Sequence, residues 1–316
     1  MQTIVGSGGV IGIELAKALK THTNQIRLVA RNPKKINEND LLFKADVLNF
    51  NSLSQAIEGS KVVYATVGFP YSVKIWQQSW PLFIENLIRA CETHGSKLVF
   101  FDNVYMYDVK CLDHMTEQST INPSSKKGQV RAKVANMILE SASKGRIEAL
   151  IARSADFYGP SIAGNSVLTE MVFKPLSLKK KAMWLASENF KHSFTYTPDA
   201  GKATALLGNS EEAYNQVWHL PTASNPLNGK EWIESIAEKL QAKGSFRVVK
   251  PAMLKFLGLF MPIMKETVEM LYQYDRPYIF KSEKFESAFN FNATPYSKGI
   301  EQIISTDYAL TAMAKR

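Results

Sequence analysis

The chain has 316 residues, enough for one large domain or two closely joined ones, and its apolar fraction of 45% is ordinary for a globular protein. Its two cysteines, Cys91 and Cys111, give neither a disulfide framework nor a metal spacing. A net charge of +9 fits an anionic ligand or a nucleic-acid partner. The basic residues look spread out, however, with Lys34-Lys35, Lys126-Lys127 and Lys179-Lys180-Lys181 the densest groups. No zinc-finger spacing or aromatic–basic RNA-binding motif goes with them, so nucleic acid is not expected.

In chain order, residues 3–20 (TIVGSGGVIGIELAKALK) read as a strand, a glycine turn and a helix. Short β-rich runs follow at 25–31, 61–68 and 97–105, separated by helical patterns at 52–59 and 84–95 that each close on a glycine. A helix over 126–143 leads to a strand over 147–157. Strands alternating with helices imply an α/β fold: a Rossmann-type doubly wound parallel sheet covered on both faces. The second half is less regular. Residues 160–195 mix loop and helix, 194–208 read as a strand entering a helix, 217–221 as a strand, and 229–241 as an amphipathic helix. Helices around a short strand are expected over 265–291. The division expected is a dinucleotide-binding domain over 1–158, joined again by about 194–222, with 159–193 and 223–316 forming a smaller, mixed α/β substrate-binding region.

Gly6, Gly9 and Gly12 fall at G-x-x-G-x-x-G, between strand and helix in a plausible βαβ unit. A tight turn needs glycine there, and a side chain would block close approach of a pyrophosphate to the N–H groups of the helix start. The next strand should end on the residue that reads the adenosine ribose. It ends on Arg31, followed by Lys34 and Lys35, with no acid. Arginine suits a 2′-phosphate, which favours NADP, with NAD as the alternative.

Further motifs appear in a fixed order: Ala45-Asp46-Val47, Ala65-Thr66-Val67-Gly68, Arg153 with Phe157-Tyr158-Gly159-Pro160, and Phe194-Thr195-Tyr196-Thr197-Pro198-Asp199. Together with Gly6-Ser7-Gly8-Gly9-Val10-Ile11-Gly12 they resemble the extended short-chain dehydrogenase/reductase superfamily, especially its NAD-dependent epimerase/dehydratase branch, over almost the full chain. The resemblance implies that Gly6, Ser7, Gly9, Val10, Ile11, Gly12, Arg31, Asp46, Val47, Thr66, Val67 and Gly68 contact the cofactor. It also implies a Ser/Thr, Tyr, Lys catalytic group, and none of the three is retained. Asn103 stands at the serine position, Lys127 at the tyrosine position and Arg131 at the lysine position.

Asn103 is therefore expected to donate to a substrate oxygen and Arg131 to hold the nicotinamide ribose, while Tyr105 or Lys127 takes the proton-donor role. Against this stand plain packing roles: a core aromatic for Tyr105 and a surface lysine for Lys127. Tyr71, Trp76 and Trp80 line a substrate pocket or fill a helix core. Asp113, His114 and Glu117 form a second candidate for a general acid, and the five histidines show no metal pattern.

The functional expectation is an atypical NAD(P)-dependent oxidoreductase or epimerase acting on a small carbonyl or sugar-like substrate without Tyr-x-x-x-Lys. The alternative is a non-catalytic dinucleotide-binding sensor or scaffold. The longest apolar stretch, 254–264, is too short to span a bilayer and is interrupted by Pro262, so no membrane partner is expected. The first residues lack the pattern of a signal peptide, and a cytoplasmic location is expected. The family resemblance allows a homodimer through helices near 75–95 and 126–143.

Overall fold

The computed structural model describes residues 1–309 apart from 163, 165, 259 and 261, and only the backbone of 255, 257, 262 and 263. The apolar stretch 254–264 and the extreme C-terminus thus lie partly outside the described residues. The strand expected before the glycine turn forms as β1 (Gln2–Val5), buried at every position. It is followed by α1 (Val10–Leu19), β2 (Ile26–Ala30), β3 (Leu41–Lys44), α2 (Phe50–Ile57), β4 (Val62–Ala65), α3 (Val73–His94), β5 (Lys97–Asp102), α4 (Lys126–Ser143) and β6 (Ala149–Arg153). Then come β7 (Asp156–Tyr158), a π-turn over Thr169–Phe173 leading into α5 (Lys174–Ser177), β8 (Ala182–Leu185), β9 (Phe194–Tyr196), α6 (Thr197–Gly208) and β10 (Val217–His219). The last elements are α7 (Gly229–Lys239), β11 (Phe246–Val249), α8 (Pro251–Leu257), α9 (Pro262–Val268), α10 (Glu283–Phe289) and α11 (Tyr296–Asp307).

Seven strands form one sheet in the order β10-β6-β5-β4-β1-β2-β3, every pair parallel. This is the expected doubly wound sheet. Strands β1, β4 and β6 are buried on both faces, which is why they read as apolar runs without alternation. The order reverses between β1 and β4, and at such a point ligands bind at the carboxyl ends of the strands. Local chemistry sets the helix ends. Asn49 caps α2 by accepting from the Ser52 N–H, and α3 stops at Gly95, which is left-handed at φ +62°.

The chain divides into two compact units. The first comprises 1–106, 126–154 and 198–220, and the second 107–125, 155–197 and 221–316. The core of the first includes Val5, Val29, Leu53, Phe83, Leu87, Phe100, Val134 and Ile151. The second is built around large aromatics, among them Tyr158, Trp184, Phe194, Trp232 and Tyr296. Two glycines make room for them: a Cβ on Gly229 would lie 2.4 Å from the Trp184 ring, and one on Gly299 would lie 2.6 Å from that of Tyr158.

Several sequence expectations need correction. The helix expected over 84–95 is only the second half of α3, which begins at Val73 and runs through Pro81. The strand expected over 147–157 breaks after Arg153; its second part, β7, pairs with β9 outside the main sheet. Residues 160–195 also contain a strand, β8, which pairs with β11. The short strand within 265–291 reduces to single bridges at Tyr278 and Phe280.

Candidate functional site

The glycine turn occupies the reversal point. Gly6 sits at φ +96°, and a Cβ there would lie 2.6 Å from the Val67 backbone nitrogen. Only glycine therefore lets the turn after β1 pass the loop after β4. A Cβ on Gly12 would meet the Gly6 carbonyl oxygen at 2.7 Å, so this glycine brings α1 against the turn. Gly8 is different. It is exposed and a Cβ there would meet nothing within 4 Å. Gly9 caps α1 without a side-chain hydrogen bond. The turn thus leaves an open approach to the free N–H groups of a helix start, the cradle a pyrophosphate needs.

The side chains around this cradle fall into two sets. Ser7 is buried, its hydroxyl donating to the Val29 carbonyl at 3.3 Å, and Ile11 faces the core. Both reach a ligand only through their backbone. The Thr66 hydroxyl donates to the Val5 and Gly6 carbonyls, each at 3.3 Å, and ties the β4 loop to the turn. Val10, Val47 and Val67 are partly buried, and Gly68 is exposed with open space above it. Asp46 is exposed, and its Oδ1 accepts from the Leu48 N–H at 3.0 Å, which holds the turn after β3. Arg31 and Lys34 follow β2 in solvent, and among the described residues neither has a hydrogen-bond or ion-pair partner. Lys35 donates to the Glu38 carbonyl at 2.8 Å.

The edge formed by the end of β5 and the start of α4 is built differently. Arg131 is 3% exposed, with Nε donating to Asp102 Oδ1 at 2.7 Å and an NH2 bond to the same oxygen. Its guanidinium lies 4.1 Å from the Trp80 ring centroid. Arg153 Nε reaches Asp102 Oδ2 at 3.4 Å. All three charged side chains are buried, so each depends on the others for its hydration shell. Asp102 is the residue that sequence reasoning missed. Its signal was faint: an acid ending an otherwise apolar strand, one position before the motif residue Asn103.

Lys127 is fully buried, its Nζ 4.4 Å from the Tyr71 ring centroid. It is not the surface lysine of the plain packing alternative. Asn103 Oδ1 accepts from the Tyr105 N–H at 3.1 Å, closing a local turn. Tyr105 is half-buried and stacks on Trp76 with 6.2 Å between ring centroids. Trp76 and Trp80 are buried in the core of this unit, and neither indole N–H has a hydrogen-bond partner among the described residues. Trp76 and Trp80 are thus helix core, and partly buried Tyr71, ahead of α3, covers Lys127 as Trp80 covers Arg131.

In the second unit, Asp113 and His114 are exposed. His192, one of five scattered histidines, is buried between the rings of Tyr274 and Tyr278, with Nε2 at 3.0 Å from Asp156 Oδ2. The Tyr274 hydroxyl donates to the same oxygen at 2.6 Å. Burial, then the charge of Asp156, pushes the Tyr278 phenol well above its ordinary value. Among the described residues no group of His, Cys, Asp and Glu has the arrangement of a metal site.

With this geometry in place, comparison with known proteins is informative. Residues 6–108, a segment that begins at the glycine turn, match a family described as NAD(P)H-binding. No curated protein matches the chain. Among solved structures, UDP-glucose 4-epimerase from Thermotoga maritima, with UDP-glucose, superposes with a TM-score of 0.80 at 14% identity, covering 98% of this chain and 99% of that one. UDP-glucose 4-epimerase from Thermus thermophilus, in complex with NAD, gives 0.77 at 15%, covering 97% and 98%. A dTDP-glucose 4,6-dehydratase from Bacillus anthracis, in complex with NAD, gives 0.78 at 16%, covering 96% of each chain. Over nearly its whole length the chain has the fold of these epimerases and dehydratases.

Proposed function

We propose that the protein is an atypical NADP-dependent oxidoreductase or epimerase acting on a small carbonyl or sugar-like substrate. The observation that carries this is the open glycine cradle with two unpartnered cations, Arg31 and Lys34, and no acid at the end of β2. The cradle fits a pyrophosphate: Gly8 and Gly9 leave the helix start bare, while Gly6 and Gly12 let the backbone close around it. Arg31 suits a 2′-phosphate, and the family resemblance sets Asp46 and Val47 against adenine. NADP, when bound, accepts or supplies hydride at its nicotinamide. The sugar-like substrate rests on the nucleotide sugars named in the neighbouring structures.

Of the four catalytic candidates, Tyr105 suits proton transfer best, because it carries a hydroxyl and is half-exposed at the end of β5. Asn103 keeps its amide nitrogen for a substrate oxygen, since only its Oδ1 is used by the turn. Arg131 acts as a positioning residue through Asp102, and Lys127 as a buried charge beneath Tyr71. The burial of positions 127 and 131 favours a second reading, a dinucleotide-binding sensor with no reaction of its own.

Titration with NADPH and NADH, followed by tryptophan fluorescence, tests the cofactor. Tighter NADPH binding is expected, and tighter NADH binding overturns the assignment of Arg31. Oxidation of NADPH with a panel of aldehydes, ketones and nucleotide sugars then separates enzyme from sensor. With an active substrate, Tyr105→Phe lowers kcat by about a hundredfold and leaves NADPH affinity unchanged. An unchanged kcat removes Tyr105 from the mechanism.

A further inference from the structure

The net charge of +9 is concentrated rather than spread. Residues 174–187 hold Lys174, Lys179, Lys180 and Lys181 without an acid, and residues 243–265 hold Lys243, Arg247, Lys250, Lys255 and Lys265 without an acid. These nine side chains equal the whole excess, so the rest of the chain has as many basic as acidic residues. The fold of the second unit joins the two segments. Strands β8 and β11 pair in parallel, setting exposed Met183 beside exposed Arg247. Lys179, Lys180 and Lys181 lead into β8, and Lys250 leads from β11 into α8. Among the described residues, Lys179, Lys180, Lys181, Arg247 and Lys250 have no ion-pair partner.

Apolar side chains are exposed in the same two segments. Of the nine large hydrophobic residues exposed among the described ones, five lie here: Leu178, Met183, Met253, Phe256 and Phe260. Phe256 is 63% exposed and Phe260 74%, and their rings pair at 5.7 Å between centroids. Helices α8 and α9 approach closely at Gly258, where a Cβ would lie 3.1 Å from the Lys265 backbone. The connection at the tip of this helical hairpin carries Phe260.

Unpaired cations alone would suit any polyanion. The phosphates of a duplex offer nothing to phenyl, leucyl and methionyl side chains, and a single strand could stack bases on the phenyl rings alone. A bilayer with anionic headgroups meets both needs, taking the ammonium groups at its surface and the aromatic pair at its acyl boundary. We propose that β8, β11 and the α8–α9 hairpin form a docking surface for an anionic lipid bilayer. Such binding is interfacial and needs no membrane-spanning helix, and no described helix is long and apolar enough to cross a membrane.

The test is flotation of the full chain with phosphatidylcholine vesicles, alone or enriched in phosphatidylserine, with NADPH titration as the control for folding. Each lysine near an anionic surface changes partitioning by about fivefold. Combined Lys179→Glu, Lys180→Glu and Lys181→Glu is therefore expected to weaken binding to the anionic vesicles about a hundredfold. Phe256→Ser with Phe260→Ser is expected to weaken it by about tenfold or more. NADPH affinity stays unchanged in both. The proposal is overturned by equal partitioning onto the two vesicle types, or by no flotation of protein that binds NADPH normally. It is also overturned if an RNA oligonucleotide strips the protein from vesicles and binds it equally well without the two phenylalanines.

Discussion

The glycine turn and the β5–α4 edge lie in the same unit and are built on opposite terms. At the turn the backbone is bare: Gly8 and Gly9 are exposed, and Arg31 and Lys34 extend into solvent without partners. At the edge four charges are enclosed: Asp102, Lys127, Arg131 and Arg153 are all buried, against Tyr71, Trp80 and each other. Holding a dinucleotide takes open backbone and mobile cations, whereas the family's proton relay takes a reachable acid near its working pH. This chain has the first arrangement, while at positions 127 and 131 the second has become packing and leaves half-exposed Tyr105 as the hydroxyl at the edge.

The contrast is broken most directly at Asp102. Asp102→Asn removes the counter-charge of two buried guanidinium groups and is expected to cost about 3–5 kcal/mol of stability, read from the urea midpoint. A variant as stable as the parent would mean that the arginines are held by other groups. Gly6→Ala attacks the open side. Its left-handed backbone and the Val67 contact add about 1–3 kcal/mol of strain, and binding of NADPH is expected to be lost. Retained affinity would place the cofactor elsewhere. Arg31→Ala sharpens the picture without disturbing the fold: NADPH affinity should fall about tenfold, or about 1.4 kcal/mol, while NADH affinity stays level. An equal fall for both cofactors would assign Arg31 to adenine rather than to a 2′-phosphate. The smallest effect concerns the thiols. Burial pushes the Cys91 thiol up to about 12, so in the native protein it should resist alkylation near neutral pH, while partly exposed Cys111 reacts. Modification of both at similar rates would indicate that α3 opens readily.

The first unit was legible because its signals are local. Glycines fix the turn after β1 and the end of α3, and fully buried strands announce a parallel sheet. The second unit resisted. Its strands β7, β8, β9 and β11 have only three or four residues each, too few to show a period, and they pair across long separations. Site chemistry followed the same division. The glycine turn could be read from spacing, but Asp102 acquires its meaning from Arg131, 29 positions away, and Arg153, 51 away. The histidine that gains a carboxylate partner, His192, lies 36 residues from Asp156. A pattern confined to neighbours in sequence has no access to such pairs.

The interrupted path of the chain through its first unit also sets an order in time. The edge strand β10 is the 217–219 segment, and the Tyr64 hydroxyl, which donates to Gln2 at 2.8 Å, accepts from Asn209 at 3.2 Å. Gln2 itself donates to Asn209 at 2.6 Å across 207 positions. At roughly 5–20 residues per second, a ribosome emits β1 on the order of ten seconds or more before its final partners appear. Late in that interval the segment 155–197, which belongs to the second unit, emerges while the main sheet still lacks an edge. Synthesis therefore leaves β6 with one flank uncovered for longer than any other strand contact takes to form, and this is the stage at which a chaperone or a second nascent chain has its best opportunity to bind.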